Sequence, residues 1–271
     1  MRMLDTTRFQ SAAKYASYLK TLAGRLRSEL AWENLRCFLP QDAAARRALD
    51  VGGGAGFASV QLAEMGFEVV LLDSCEGMLG IARQQAEASS ATGRISFCHA
   101  DAERLHELFT AGYFDVVVCH NLLEYLENPH IVVGHIARVM RENAVVSVLL
   151  RNRAGEVLRA AINSADCKLA AANLFAGTVT DSLFGEPVRV FAPEDVRSML
   201  ARAGLRIVAE HGVRVFSDYL DLPDDLTGEA YRQVFELERT LGAQPQFAAI
   251  ARYTQVIARR SSTSSGQEPA R

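Results

Sequence analysis

The chain has 271 residues, of which 49% are hydrophobic and 23% charged, and its formal net charge is -3. This composition supplies a sizeable core and excludes global disorder, and the lack of a basic excess disfavours a large nucleic-acid or anionic-membrane footprint. The five cysteines have no metal-ligand spacing, so no metal site is expected. No run of 18 apolar residues and no signal-peptide core occurs, so we expect a cytoplasmic protein without a membrane partner.

The first predicted elements are helices. From Asp5 to Leu39, apolar residues recur at three- and four-residue steps, which is the helical period. We expect two helices that break near Gly24 and stop before Pro40, and together they form an N-terminal helical cap over residues 1–40. Because these helices precede the first strand, they must pack over the sheet or over its open edge.

Residues 41–260 are predicted to form one α/β domain. Its first half alternates amphipathic helical segments with five apolar runs, which are RRALDVG, FEVVLLD, RISFCHAD, FDVVVCH and AVVSVLLRN. Near-continuous Val, Ile and Leu runs are typical of strands that are buried on both faces. The pattern predicts a doubly wound, mostly parallel, Rossmann-like sheet with ligands beyond the carboxyl ends of its strands.

The pattern changes after Gly155. A helix is predicted over residues 155–172, within a loop-rich insertion at about 156–192 that follows the fifth strand. A helix over 193–203, the strand LRIVAEHGVRVF, a helix over 229–241 and the strand QFAAIARYTQVIARR follow, and the two strands are suited to an antiparallel hairpin at one sheet edge. The polar residues 261–271 are expected to be a disordered tail.

The run ALDVGGGAG indicates a nucleotide-binding loop, because an apolar strand breaks into glycines before a helix starts. Gly52, Gly53 and Gly54 allow a sharp turn and a close approach of the backbone to a ligand. Asp50 is expected to hold this loop. Asp73 ends the next apolar run about 20 residues later, where a carboxylate can bind a ribose, although it is also placed to cap the next helix.

The third and fourth strand ends offer further candidates. Asp101 is placed to accept a hydrogen bond from an adenine amine, with the N–H of Ala102 donating to the ring, or else to cap the turn that follows. His120 ends the fourth strand and either lines the site or has a structural role.

Arginines are the remaining candidates. Arg151 and Arg153 flank Asn152 after the fifth strand, and two guanidinium groups at a strand end require a carboxylate or phosphate partner. Arg27 and Arg214 lie far apart in the sequence. From the sequence alone, ion pairing at the surface remains an alternative for both.

The motifs LDVGGGAG, VVLLD, HADAE and VVVCHNLLEYLENP together resemble the class I S-adenosylmethionine-dependent methyltransferase pattern. Their GxGxG spacing differs from the GxGxxG of dinucleotide-binding proteins. The resemblance implies S-adenosylmethionine as the cofactor. It would lie with its methionine end on the glycine loop, its ribose on Asp73, and its adenine on Asp101 and Ala102.

A more extensive resemblance covers nearly the whole chain. The segments GRLRSELAWENL, CHNLLEY, RNRAG, GVRVFSDYL and ARYTQVIARR are similar to the bacterial methyltransferases of the tRNA wobble nucleoside 5-carboxymethoxyuridine. This resemblance implies that Arg27 binds the methionine carboxylate and that His120 lies in the cofactor site. The family's lysine-rich insertion is replaced here by AGTVTDSLFGEPVRVF, and the loss of these cations disfavours tRNA as the substrate.

We therefore expect a methyltransferase that acts on a carboxylate or an amine of a small molecule, with Arg153 or Arg214 orienting the substrate. One alternative is carboxyl methylation of 5-carboxymethoxyuridine in tRNA. Another is cyclisation of S-adenosylmethionine to azetidine-2-carboxylate with release of methylthioadenosine, the reaction of azetidine-2-carboxylate synthases, which share this fold. The catalytic candidates for that route are Tyr15, Tyr18 and Asn152. A cofactor-binding module without catalysis is the non-enzyme alternative.

Overall fold

Nine strands occur in the computed structural model, which describes residues 12–90, 93–181 and 183–261. They are β1 (Arg47–Val51), β2 (Glu68–Asp73), β3 (Ile95–His99), β4 (Phe114–His120), β5 (Met140–Arg151), β6 (Thr178–Thr180), β7 (Pro187–Arg189), β8 (Leu205–Val213) and β9 (Tyr253–Arg260). The start of the predicted cap and the predicted tail beyond residue 261 lie outside the described residues.

Seven of these strands form the central sheet, in the order β3-β2-β1-β4-β5-β9-β8. The first five pair in parallel. β9 runs antiparallel to both β5 and β8. The prediction of a mostly parallel sheet that a hairpin closes at one edge is confirmed.

Helices cover both faces of the sheet. They are α1 (Ala12–Lys20), α2 (Leu22–Arg36), α3 (Phe57–Glu64), α4 (Glu76–Glu87), α5 (Leu105–Leu108), α6 (Pro129–Val139), α7 (Arg153–Ile162), α8 (Cys167–Asn173), α9 (Pro193–Arg202), α10 (Gly228–Gly242) and α11 (Pro245–Ala248). Helices α5, α6 and α9 pack on one face, and α2 and α3 on the other. No helix among these combines the length and the apolar character that crossing a bilayer requires.

Side-chain alternation along β4 explains why both faces are covered. Val117 and Cys119 join the core under α6, whereas Val116 and Val118 join the core under α3. Successive side chains of a strand point to opposite faces, so an uninterrupted apolar strand needs a helical layer on each side. The doubly wound architecture follows directly from this composition.

The break between the two N-terminal helices falls at Thr21 and not at Gly24. The Thr21 hydroxyl caps α2 by accepting the Gly24 N–H. Gly24 lies inside α2, where an added Cβ would be 2.1 Å from the carbonyl oxygen of Tyr18. Glycine is therefore needed for the close contact of α1 with the first turn of α2, and this contact fixes the cap.

Three predicted boundaries in the second half were wrong. The segment 155–172 forms two helices, because Asp166 caps α8 by accepting the Leu169 N–H. β8 stops at Val213, since Arg214 has a φ of 63°. β9 starts only at Tyr253, because Pro245 begins the short helix α11.

Candidate functional site

A cavity of about 1410 Å³ lies at the carboxyl ends of the parallel strands. Single-ligand pockets usually have volumes of about 300–1,000 Å³, so the cavity has room for a nucleotide-sized cofactor and a second small molecule. Its wall contains many of the predicted residues, which are Tyr15, Tyr18, Arg27, Gly52, Gly54, Asp73, Asp101, Ala102, His120 and Arg214.

The glycine loop after β1 is shaped by close contacts. Gly52 and Gly54 have φ values of 67° and 53°, and a Cβ on Gly53 would lie 2.8 Å from the Asp50 carboxylate. Asp50 accepts a 2.7 Å hydrogen bond from the Ser59 hydroxyl of α3, and burial raises its pKa to about 6. Asp50 thus ties the loop to α3, and the loop backbone lies open to the cavity.

Asp73 connects the glycine loop to the end of β2. Its two carboxylate oxygens accept the N–H groups of Gly54 at 2.9 Å and Cys75 at 2.8 Å. Each carboxylate oxygen has more than one lone pair, so both can still accept a hydroxyl proton from a ribose. Asp73 does not cap α4, whose N-cap residue is Cys75; it holds the turn before that helix and can still bind a ribose.

Asp101 and Ala102 follow β3 and line the same cavity. Asp101 Oδ1 accepts the Glu103 N–H at 2.8 Å and so caps the short helical turn. The second carboxylate oxygen is available to a ligand. Both roles weighed for this residue thus fit the geometry.

His120 ends β4 and faces both the cavity and the glycine loop. Its Nε2 lies 2.8 Å from the Ser147 hydroxyl of β5. Burial, and then the charge of Arg27, lowers the pKa of His120 to about 3. The imidazole is therefore neutral at physiological pH, and it contributes shape and hydrogen bonding to the site, not charge.

Arg27 presents a buried positive charge at the glycine-loop end of the cavity. The residue is only 7% exposed. Its Nη2 donates to the Tyr15 hydroxyl at 2.8 Å, and its Cζ lies 4.9 Å from the centroid of the Tyr18 ring. Within the described chain it has no carboxylate partner. A buried, uncompensated guanidinium favours an anionic ligand, so the residues present fit the methionine carboxylate of S-adenosylmethionine.

A second group of arginines lies in the wall of the cavity on the other side of Tyr18, which contacts both Arg27 and Arg214. Arg151, at the end of β5, pairs with Glu156 at 2.9 Å and with Asp181 at 2.7 Å. Arg159 pairs with Glu156 at 3.0 Å from the outer side. All of these groups except Arg159 are almost completely buried, and Asp181 brings the β6–β7 insertion into the wall of the cavity.

Arg214 and Arg252 complete this group. Arg214 donates from Nη1 to the Tyr18 hydroxyl at 3.1 Å and forms a short ion pair with Asp218. Arg252 lies 3.0 Å from Glu156 through Nη1 and 3.8 Å from Asp218 through Nε, as ion pairs without aligned hydrogen bonds. Its Nη2 has no hydrogen-bond partner among the residues that the structure describes.

We call these seven side chains the arginine network: Arg151, Arg159, Arg214, Arg252, Glu156, Asp181 and Asp218. Three of its guanidinium groups, those of Arg151, Arg214 and Arg252, line the cavity, whereas Arg159 lies on the outer side of Glu156 and is partly exposed. These three guanidinium groups face three carboxylates, so their charges balance. The guanidinium group of Arg252 nevertheless makes no hydrogen bond to a described residue, and a charged donor of this kind is suited to an anionic ligand.

Four predicted residues do not line the cavity: Asp50 and Gly53, which line a smaller neighbouring pocket, and Asn152 and Arg153. The Asn152 amide donates to the carbonyl oxygens of Ala249 and Ala251, both at 2.9 Å, so it anchors the chain before β9. Arg153 points toward α9 and pairs with Asp195 at 3.3 Å. The start of α7 at Arg153 turns its side chain away, which explains why Arg151 is the residue at the cavity.

Arg252 and Tyr253 were not predicted as site residues. β9 runs antiparallel to β5, and Tyr253 lies opposite Arg151 in the register. The start of β9 therefore meets the carboxyl end of β5 at the cavity. The sequence analysis predicted the hairpin that contains β9, but it placed the start of that strand several residues before Tyr253. The residue of β9 that lies opposite Arg151 could therefore not be identified.

No group of three or more His, Cys, Asp or Glu side chains suited to a metal occurs in the described ranges.

Comparisons with known proteins agree with this geometry. Residues 49–148, from β1 to within β5, match a family model described as "Methyltransferase domain". The matched segment contains the glycine loop, Asp73, Asp101 and His120. The N-terminal cap, the insertion and the start of β9 lie outside it.

Relatives extend the similarity beyond that segment. The chain is 28% identical over 250 residues to the tRNA 5-carboxymethoxyuridine methyltransferase of Escherichia coli K12, covering 89% of this chain and 90% of that protein. It is 30% identical to a ubiquinone biosynthesis O-methyltransferase of Rhizobium rhizogenes, with 62% of each covered. An S-adenosylmethionine-dependent methyltransferase structure from Mesorhizobium loti, 21% identical, covers 85% of this chain and 98% of its own, with a TM-score of 0.58.

Proposed function

This chain is an S-adenosylmethionine-dependent transferase built on a methyltransferase domain, and we propose that it transfers the methyl group to a carboxylate of a small-molecule acceptor. The observation that carries the proposal is the guanidinium group of Arg252, which lines the cavity and makes no hydrogen bond to a described residue. Arg27 supplies the corresponding positive charge at the cofactor end.

When bound, S-adenosylmethionine supplies an electrophilic methyl group on a sulfonium. Arg27 and the loop at Gly52 and Gly54 hold the methionine end, and Asp73 holds the ribose. Fixing both reactants in line accounts for about 7–11 kcal/mol of a barrier in favourable cases. A carboxylate acceptor is already deprotonated, so the neutral His120 needs no role as a base.

The arginine network has to hold the acceptor without removing its nucleophilicity. Arg252 Nη2 is free to donate one hydrogen bond to a carboxylate oxygen, while Arg151 and Arg214 are occupied by Asp181 and Asp218. One oxygen is thereby fixed and the other remains available for attack. Enclosure by Leu183 and Phe184 of the insertion limits the access of water to the reacting atoms.

The experiment is an acceptor screen with matched neutral analogues. The chain is incubated with S-adenosylmethionine and a panel of small carboxylic acids that includes the nucleoside 5-carboxymethoxyuridine, and parallel reactions contain the corresponding primary amides. We expect S-adenosylhomocysteine to form with carboxylates and not with their amides. Equal turnover of acids and amides would reject the proposal.

A second candidate is cyclisation of S-adenosylmethionine to azetidine-2-carboxylate. The observation that favours it is the pair of aromatic side chains, Tyr15 and Tyr18, beside Arg27 at the methionine end. Methylthioadenosine that accumulates with turnover in the reaction without acceptor would support this route. Its absence there would eliminate it.

Methylation of tRNA is the third candidate, and the relative from E. coli supports it. The insertion of this chain contains Asp181 and Glu186, and Arg189 is occupied by the carbonyl oxygens of Leu126 and Glu127. A surface that binds several phosphates needs free cations, so this region gives tRNA little support.

A further inference from the structure

Tyr253 lies at the centre of the arginine network. It is 4% exposed and lines the cavity. The Cζ atoms of Arg151, Arg214 and Arg252 lie 5.8, 5.8 and 5.9 Å from the centroid of its ring. Its hydroxyl has no hydrogen-bond partner in the part of the chain that the structure describes. A buried phenol without a partner requires one.

The groups around Tyr253 come from every element that packs against it. Those that interact with its charge are two phenols, Tyr18 of α1 and Tyr125 after β4, and four arginines, Arg27 of α2, Arg151 of β5, Arg214 after β8 and Arg252 before β9. The carboxylates of the arginine network pair with the arginines and not with the phenol. Burial by itself raises the pKa of Tyr253, but the four arginines outweigh burial and lower it to about 8.

We propose that Tyr253 determines acceptor specificity: as a neutral phenol it donates a hydrogen bond to the acceptor carboxylate, and as a phenolate it replaces that anion. This inference rests on the proposed function. Tyr253 lies among Arg151, Arg214 and Arg252, and the guanidinium group of Arg252 makes no hydrogen bond to a described residue, so either the phenolate or the acceptor carboxylate can bind there. Two adjacent anions would repel each other in a buried site, so acceptor binding is coupled to protonation of Tyr253.

The coupling has a direct spectroscopic readout. The phenolate form of tyrosine absorbs ultraviolet light at about 295 nm, so this absorbance measures tyrosine ionisation as the pH is raised. The titration is carried out with S-adenosylhomocysteine present. We expect one tyrosine of the wild-type chain to ionise near pH 8, about two units below the ordinary value of about 10. Excess phenoxyacetate, a small carboxylate, should move this step to higher pH.

Two variants make the assignment specific. Tyr253→Phe should lose the step near pH 8 and should bind phenoxyacetate about tenfold or more weakly at pH 7, as expected for a hydrogen bond to a charged group. Tyr113→Phe is the matched control, because Tyr113 has a single arginine, Arg47, 4.4 Å from its ring and does not line the cavity. The control should retain both properties.

Several results would overturn the inference. One is the absence of any tyrosine that ionises below about pH 9.5 in the wild-type chain. Another is a step near pH 8 that phenoxyacetate does not move. A fall in kcat of Tyr253→Phe with unchanged KM for a carboxylate acceptor would show that the phenol acts in the methyl-transfer step and not in acceptor binding. The acceptor screen tests methyl transfer separately, so failure of the coupling and failure of the proposed function are distinguishable.

Discussion

Arg27 and Asp50 are both buried beside the glycine loop, but burial has opposite consequences for their charges. Arg27 keeps a charge that no described residue neutralises. Asp50 is buried with one hydroxyl partner, Ser59, and its pKa rises. The first arrangement favours an anionic ligand, and the second makes the Asp50 carboxyl group easier to protonate than an ordinary aspartate.

Replacement of Arg27 by glutamine should weaken S-adenosylhomocysteine binding about ten- to hundredfold, because a hydrogen bond to a charged group contributes about 1.5–3 kcal/mol. Methylthioadenosine lacks the methionine carboxylate, and its affinity should not change. Isothermal titration of both nucleosides measures the difference. Arg25→Gln is the control, since Arg25 donates to the carbonyl oxygens of Asp224 and Leu226. Equal losses for both nucleosides would contradict the assignment of Arg27.

Asp50 makes stability depend on pH in a defined direction. The pKa of Asp50 is about 6 in the folded chain and 3.8 ordinarily, so the folded state binds this proton more tightly. Protonation of Asp50 therefore contributes fully to the free energy of unfolding below about pH 4, and this contribution is lost as the pH rises through 6. Asp50→Asn should remove this pH dependence. Relative to wild type, its free energy of unfolding should increase by up to about 3 kcal/mol between pH 4 and 7.

Urea denaturation of the two proteins across that range, without cofactor, measures the difference in unfolding free energy. Asparagine can still accept the Ser59 hydroxyl, so the loop contact is preserved. A difference that stays constant between pH 4 and 7 would show that Asp50 does not titrate there.

At the scale of elements, the α1–α2 cap positions three cavity residues, Tyr15, Tyr18 and Arg27. Its packing depends on Gly24, where a Cβ would lie 2.1 Å from the Tyr18 carbonyl oxygen. The sequence indicated both helices, but it could not locate their junction. The glycine suggested a helix break, whereas its physical role is a close contact between two helices.

Gly24→Ala should displace α1 and weaken S-adenosylhomocysteine binding at least tenfold, since loss of one charge-assisted hydrogen bond already costs about 1.5 kcal/mol. The central sheet should keep its circular dichroism spectrum. Gly80→Ala in α4 is the matched control, because nothing lies within 4 Å of an added Cβ. That change should leave affinity unaltered and stabilise the helix by about 0.5–1 kcal/mol. Unchanged affinity in Gly24→Ala would show that the cap does not need this contact.

The strands with continuous apolar sequences were predicted well, because burial on both faces leaves a strong local signal. The position of Asp73 and Asp101 in the cavity wall could also be predicted, since each lies at the end of such a strand or directly after it. Arg252 and Tyr253 could not, because their position depends on the pairing register of β9 with β5. Arg153 was preferred over Arg151 although α7 begins at Arg153 and directs its side chain toward Asp195.

At the scale of the whole molecule, the distribution of charge favours a small-molecule acceptor over a nucleic acid as the substrate. The chain has a formal net charge of -3, and the arginines of the acceptor site lie inside the cavity. We expect unmodified and wobble-modified tRNA to bind weakly, with little change between about 50 and 200 mM salt, since few counterions are released. Filter binding across this range measures the slope. A steep loss of affinity with salt would instead demonstrate a phosphate-binding surface.

The fate of the cofactor's methyl group tests the proposed carboxyl methylation most directly. S-adenosylmethionine labelled in the methyl group is incubated with the chain and with the acids of the acceptor screen, and the products are treated with hydroxide. We expect S-adenosylhomocysteine together with a base-labile methyl ester that releases labelled methanol. Label that remains in methylthioadenosine, or that enters a base-stable product, would contradict methyl transfer to a carboxylate.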